Sequence, residues 1–218
     1  MKLGICACQF YHRIPEQTLA TVVAACQKVG IAYEVIPDLC FLAAKNRPAL
    51  QLYNVILACQ VRAVRALLGN NSTAIQCYDL QNTDLAELLA ALSLECPSDK
   101  PAPPEYAALP PDWVPWFPVL DETRCVHCGK CVDFCLFGVY TLQEGKVEVT
   151  VPENCKTNCP ACSRMCPQNA IIFPKSPESR LNGSLADAYL PSTDEKSTLA
   201  ELLQRRKAKL RLFKEDRG

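Results

Sequence analysis

The sequence predicts an α+β protein. An N-terminal α/β domain with a mostly parallel four-stranded sheet spans residues 1–95, and a small cysteine-rich domain with a pseudo-two-fold repeat spans 121–174. Three observations lead there. Over residues 1–95 short β-like runs alternate with helical patterns, which implies a parallel sheet covered on its faces. Residues 96–120 open as CPSDKPAPPEYAALPPDWVPWFP, a proline-rich stretch that reads as an extended linker. Beyond it two dense cysteine runs repeat at an offset of 31 residues, Cys135 to Cys166.

Taken in order, LGICAC (3–8), IAYEVI (31–36), NVILAC (54–59) and TAIQCY (73–78) have the character of buried strands. Between the first two, PEQTLATVVAACQKVG places Leu19, Val22, Val23, Cys26 and Val29 on one helical face. Pro15 suits its first turn and Gly30 its exit. In DLAELLAALSLE, Asp84 and Glu87 form a capping pair ahead of Leu88, Leu89 and Leu92. Trp113, Trp116 and Phe117 close the linker; they either anchor it to the next domain or cover a buried cofactor. VYTLQEGKVEVTV predicts a hairpin turning at Glu144-Gly145. Residues 175–218 form a polar tail ending in a basic helix, STLAELLQRRKAKLRLFKED, either a solvated helix end or a dock for an acidic partner.

Composition narrows the function classes. Lys plus Arg, at 23, balances Asp plus Glu, at 23, so no overall field draws the chain to nucleic acid or an anionic membrane. No run of about eighteen apolar residues predicts membrane insertion. The opening MKLGICACQFYHR is too short for a signal peptide, so a cytoplasmic protein is expected. Fifteen cysteines in that compartment point to metal or catalysis. A secreted disulfide scaffold fits worse, given the odd count and the missing signal. The Gly129-Lys130 pair has neither the earlier glycine nor the following Ser or Thr of a phosphate loop, so no nucleotide site is expected.

The first run reads Cys125-x2-Cys128-x2-Cys131-x3-Cys135, and the second Cys155-x3-Cys159-x2-Cys162-x3-Cys166-Pro167. Closely spaced cysteines on a curling loop reach several corners of an iron–sulfur cubane, whose last corner must be filled from farther away. Zinc competes, but its sites take paired C-x2-C units with two cysteines each, often with histidine. His127 lies inside the tight first loop, where a surface or outer-sphere position suits it better than ligation.

Residues 121–174 resemble a bacterial-type two-cluster ferredoxin domain in these eight cysteines, in Pro167 and in the repeated tails CLFGVYTL and CPQNAIIF. The resemblance implies two [4Fe–4S] clusters. One would take Cys125, Cys128, Cys131 and Cys166, the other Cys155, Cys159, Cys162 and Cys135. Leu136 stands where that pattern has proline, and the second run opens with x3 in place of x2. Both departures touch loop shape and potential and leave the ligand count intact.

Four further cysteines fall near the carboxyl ends of the predicted strands: Cys6 and Cys8, Cys40 in PDLC, and Cys59 in ILACQ. Ligands of open α/β sheets bind at that rim. Cysteine is also a small core hydrophobe, which suits Cys26; Cys77 is placed at the end of the fourth strand and Cys96 in the linker. The order C-x-C, then PDLC, then ACQVRAVRALL is similar to the N-terminal region of the flavoprotein subunit of heterodisulfide reductases. That similarity implies a third [4Fe–4S] cluster on Cys6, Cys8, Cys40 and Cys59. Arg62 and Arg65 follow on a short helix, where they either offset cluster charge, meet a partner or are solvated.

Electron transfer between redox protein partners is the function these features predict, with no catalytic residue of the chain's own. Two others stay open. One is a thiol or disulfide oxidoreductase subunit using Cys6 and Cys8, reduced by the ferredoxin part. The other is a cluster-dependent sensor or assembly subunit that docks through the basic C-terminal helix.

Overall fold

A computed structural model describes residues 1–69 and 73–184; the expected basic helix lies outside the described residues. Short β-rich runs form β1 (Lys2–Cys6), β2 (Ala32–Ile36), β3 (Val55–Ala58) and β4 (Gln76–Asp79). They make one parallel sheet in the order β2-β1-β3-β4, with Leu3 opposite both Tyr33 and Val55. All four residues of β3 are buried, as an inner strand covered on both faces requires. Gly4 admits the Tyr53 ring, whose nearest atom would lie 3.0 Å from an added Cβ.

Two strand ends differ from expectation. The first strand stops at Cys6, because Cys8 has a left-handed backbone (φ 50°) incompatible with a strand. The fourth starts at Gln76 and runs to Asp79, so Cys77 sits inside it and not at its end.

Helices link the strands. α1 (Glu16–Val29) ends on Gly30 at φ 73°, the left-handed cap that glycine adopts without strain. α2 (Leu39–Asn46), which has no counterpart in the sequence reading, starts where the Asp38 carboxylate accepts from the amides of Cys40 and Phe41. A 3-10 turn (Arg47–Leu52) leads to β3, and α3 (Val61–Leu68) follows it. α4 (Leu85–Ala91) is capped by Asp84, which accepts from the amides of Ala86 and Glu87. The chain runs from β1 out to β2 and then crosses to β3 on the other side of β1, so the strand order changes direction between β1 and β3. Right-handed crossovers then put α1 and α2 on opposite faces, and α1 packs with α4 while α3 packs with the 3-10 turn.

The proline-rich segment has almost no regular structure of its own before β5 (Val119–Leu120), yet it is pinned along its length. Leu109 N–H donates to the Gln9 side chain at 3.1 Å. Trp113 meets Phe41 edge-on at 5.1 Å in the N-terminal core, whereas Trp116 stacks on Phe173 at 4.9 Å in a second core.

That second core gathers Trp116, Val139, Tyr140, Val147, Cys162, Ile171 and Phe173. Around it lie α5 (Lys130–Phe134), the hairpin β6 (Tyr140–Gln143) and β7 (Lys146–Val149), α6 (Ala161–Met165), β8 (Ile171–Ile172) and α7 (Ser179–Asn182). The hairpin turns at Glu144 (φ 49°) and Gly145 (φ 75°), the two left-handed residues of a type I′ turn. The 31-residue repeat is written into the backbone. α5 and α6 correspond, and left-handed residues recur at His127 and Asn158 and again at Gly138 and Asn169.

All described residues belong to one compact unit. Arg62 on α3 donates to the Asp121 carboxylate at 2.8 Å and to the Asn169 carbonyl at 2.5 Å. Arg13 donates to the Ser176 carbonyl at 2.7 Å, and Lys175 pairs with Asp38 at 2.5 Å.

Candidate metal centres

The first cysteine run wraps its loop through left-handed His127 and Gly129 before α5, and the second run's Cys166 comes back to the same place. Cys125, Cys128, Cys131 and Cys166 line one cavity, walled by Leu120 and Ile171. Backbone amides point at its sulfurs: His127 N–H to Cys125 Sγ at 3.4 Å and Ala170 N–H to Cys166 Sγ at 3.3 Å. Burial pushes the Cys131 thiol up to about 11, and charge on Cys125 and Cys166 adds to it. The His127 ring accepts the Val147 amide on Nδ1, so that nitrogen carries a lone pair and is already engaged.

Cys135, Cys155, Cys159 and Cys162 make the other group. Burial first, then the neighbouring Cys162, Cys159 and Cys135, raise the Cys155 thiol to about 12. Cys162 is buried and receives the Tyr140 hydroxyl at 3.1 Å. Thus each group draws three sulfurs from one run and one from the other.

The N-terminal cysteines converge as well. Cys6, Cys8, Cys40 and Cys59 are all buried at the carboxyl rim of the sheet, where the strand order changes direction between β1 and β3. Cys8 Sγ and Cys59 Sγ lie 4.0 Å apart, and the Leu39 amide donates to Cys6 Sγ at 3.3 Å. The Cys59 contact pulls the Cys8 thiol down and pushes Cys59 up. Burial, then Asp38 and Cys8, raises Cys6 to about 12. Into this group projects Lys175, only 2% exposed, with its Nζ 3.7 Å from Cys8 Sγ. Burial opposes its charge, but Cys40, Asp38, Cys8 and Cys6 outweigh that and raise its pKa.

Cys26 is buried on α1, Cys77 is half-buried in β4 and Cys96 is exposed; none joins these groups. Among the described residues no three His, Cys, Asp or Glu side chains draw close enough to hold a single metal ion. A cubane asks for something else, one thiolate per iron spread over four corners. Three all-sulfur donor sets, the first and the N-terminal one with backbone amides turned toward sulfur, suit that soft, anionic group.

Sequence reasoning missed Lys175 and Asp38, which lie 137 residues apart and meet only through the fold. It also missed Tyr140, a residue with no spacing signal, and the fixed ion pair that occupies Arg62.

Comparison with known proteins gives the class. A 4Fe-4S dicluster domain model matches residues 107–171. Ferredoxin-3 of Nostoc sp. strain PCC 7120 is 34% identical over 76 residues, covering 26% of this chain and 77% of its own. Two uncharacterized ferredoxins of Methanocaldococcus jannaschii also match. One is 38% identical over 58 residues, 25% of this chain and 74% of that protein. The other is 49% identical over 70 residues, 32% of this chain, and the chain spans 48% of its length. These matches define a ferredoxin-type 4Fe-4S dicluster domain within the chain. The chain belongs to the ferredoxins with a 4Fe-4S dicluster domain. No helix among the described residues is long and apolar enough to cross a membrane.

Proposed function

We propose that the chain is a cytoplasmic electron relay with three [4Fe–4S] sites, passing single electrons between redox protein partners. Cys125, Cys128, Cys131 and Cys166 would hold the first, Cys135, Cys155, Cys159 and Cys162 the second, and Cys6, Cys8, Cys40 and Cys59 the third. The carrying observation is the convergence of the last four sulfurs, from three separate strand ends, at the sheet's switch point. Its likeness to the N-terminal region of the heterodisulfide reductase flavoprotein subunit supports the same reading. So does Lys175: a desolvated ammonium costs several kcal/mol unless anions surround it, and Asp38 is a single counter-charge.

When bound, such a cubane exchanges one electron with little change of geometry. The chain's residues supply the rest. Buried Cys6, Cys8, Cys40 and Cys59 exclude water, the Leu39 amide donates to sulfur, and Lys175 offsets thiolate charge. Arg62 ties the helix after Cys59 to Asp121 and Asn169, which flank Cys125 and Cys166. That tie would fix the third site relative to the first.

Iron and acid-labile sulfide per chain, measured on protein purified without oxygen, test this. About twelve irons are expected, falling to about eight in Cys59→Ala. About eight in both proteins sinks the third site, and colourless protein carrying zinc sinks the relay.

A second reading is favoured by the 4.0 Å approach of Cys8 and Cys59. With eight irons these two thiols form a redox dithiol, each disulfide reduction consuming two electrons and two protons. That pair replaces the Cys6 and Cys8 pair of the sequence reading. The sensor reading depends on the expected basic helix, whose residues lie outside the described ones.

A further inference from the structure

The second sulfur group differs from the first in its side-chain surroundings. Tyr140 is 4% exposed, and its hydroxyl donates to Cys162 Sγ at 3.1 Å. Packing alone does not ask for that hydroxyl. Phenylalanine would fill the same volume, and a buried O–H without a partner costs about 1–3 kcal/mol. The sulfur is what gives it a partner.

Trp116, 8% exposed, stacks on Phe173 and has a buried indole N–H with no formed hydrogen bond. Cys155 packs against the core that Trp116 helps to build. A formed hydroxyl donor and an unpartnered indole N–H thus lie in the core that holds Cys162 and packs against Cys155. The first group has backbone amides at Cys125 and Cys166, and its nearest ring nitrogen, His127 Nδ1 at 3.6 Å from Cys125 Sγ, carries a lone pair. Lys130 on the rim of that cavity is exposed, where water screens its charge.

From this contrast we infer that Tyr140 and Trp116 are potential-setting donors for the second iron–sulfur site. A donor to a ligand sulfur stabilises the more negative, reduced form, so both raise the potential of that site against the opposing effect of its burial. Neither residue holds iron. Each acts through a cysteine, which makes them positioning residues.

This inference rests on the assignment of Cys135, Cys155, Cys159 and Cys162 to one site. The test is redox titration of Tyr140→Phe and Trp116→Phe in the full-length, anaerobically prepared protein. Hyperfine-shifted cysteine β-proton resonances follow the sites separately, and iron content and circular dichroism are measured alongside. In Tyr140→Phe the expected result is unchanged iron and fold, a lower midpoint potential for the site containing Cys162 and no change at the site containing Cys125. Trp116→Phe is expected to move the same couple in the same direction, and the double variant to move it farther.

Unchanged potentials at full iron content overturn the inference, as does a shift confined to the site containing Cys125. If the shifted resonances of Cys135 travel with those of Cys125, and not with those of Cys162, the underlying assignment fails instead.

Discussion

The sulfur groups of the ferredoxin domain and of the N-terminal domain are built in opposite ways. In the former, contiguous runs supply three ligands each, and the loops are locally determined by left-handed residues at His127, Gly129 and Asn158. In the latter, Cys6, Cys8, Cys40 and Cys59 come from three strand-to-helix junctions that only a finished parallel sheet brings together. Exposure follows construction. Cys128 is exposed and most ferredoxin cysteines are half-buried, whereas all four N-terminal ones are buried. A spacing rule is therefore enough to find the first kind of site. The second needs a topology.

Cysteine removal should break this contrast most visibly. Cys166→Ser removes the fourth sulfur from the first cavity, and a loss of about four irons with the second run's other sulfurs still loaded is expected. Cys40→Ser should cost about four irons as well, but only from the N-terminal site. Iron analysis with visible absorption checks both, and an equal loss from every site would mean that the regions do not load independently.

Legibility follows the same division. The strand and helix alternation, the type I′ hairpin and the internal repeat could be read because each is set by residues close in sequence. The gathering of Cys6, Cys8, Cys40 and Cys59 at the strand ends was legible as rim chemistry, but not that Cys8 and Cys59, 51 residues apart, are the pair in contact. Lys175 was opaque: it sits just after the repeat, and its partners Asp38 and Cys8 belong to the opposite end of the described chain. α2 escaped because its signal is the single cap Asp38 before a short, mostly apolar run.

The Lys175 and Asp38 pair joins the two constructions, and its disruption should be the largest stability effect outside the cysteines. Lys175→Met leaves a carboxylate buried without its cation, expected to cost about 3–5 kcal/mol in chemical denaturation of the metal-free protein. The Lys175→Met, Asp38→Asn double variant should recover much of that, since no lone charge remains. If the single variant is as stable as the parent, the pair is not closed in solution.

Arg62→Ala comes next. Its guanidinium is 16% exposed and holds both a carboxylate and a carbonyl of the ferredoxin part. Hydrogen bonds to charged groups are worth about 1.5–3 kcal/mol, so a loss of that order is expected. Arg62→Lys should restore only part of it, because an ammonium lacks the planar fork that spans two acceptors. Full rescue by lysine would mean that charge alone, without the fork, joins the regions.

The smallest effect asks the sharpest question of the comparison, whether two differently built regions unfold together. Asp84 caps α4, far in sequence from any sulfur group, and its carboxylate accepts two amides that otherwise have no intrahelical partner. Asp84→Ala should cost about 1 kcal/mol. For a chain of this length that is roughly 2–4 °C. Far-UV circular dichroism follows the N-terminal helices, while iron–sulfur absorbance follows the cysteine sites. Because Arg62, Arg13 and Lys175 join the regions through partly or fully buried polar contacts, both signals should shift downward together in Asp84→Ala. A fall in the helical signal alone, with visible absorbance lost at the parent temperature, would make the junction a contact between independently stable bodies. The third site would then gain its rigidity from the parallel sheet alone, and the Arg62 strut would position it without stabilising it.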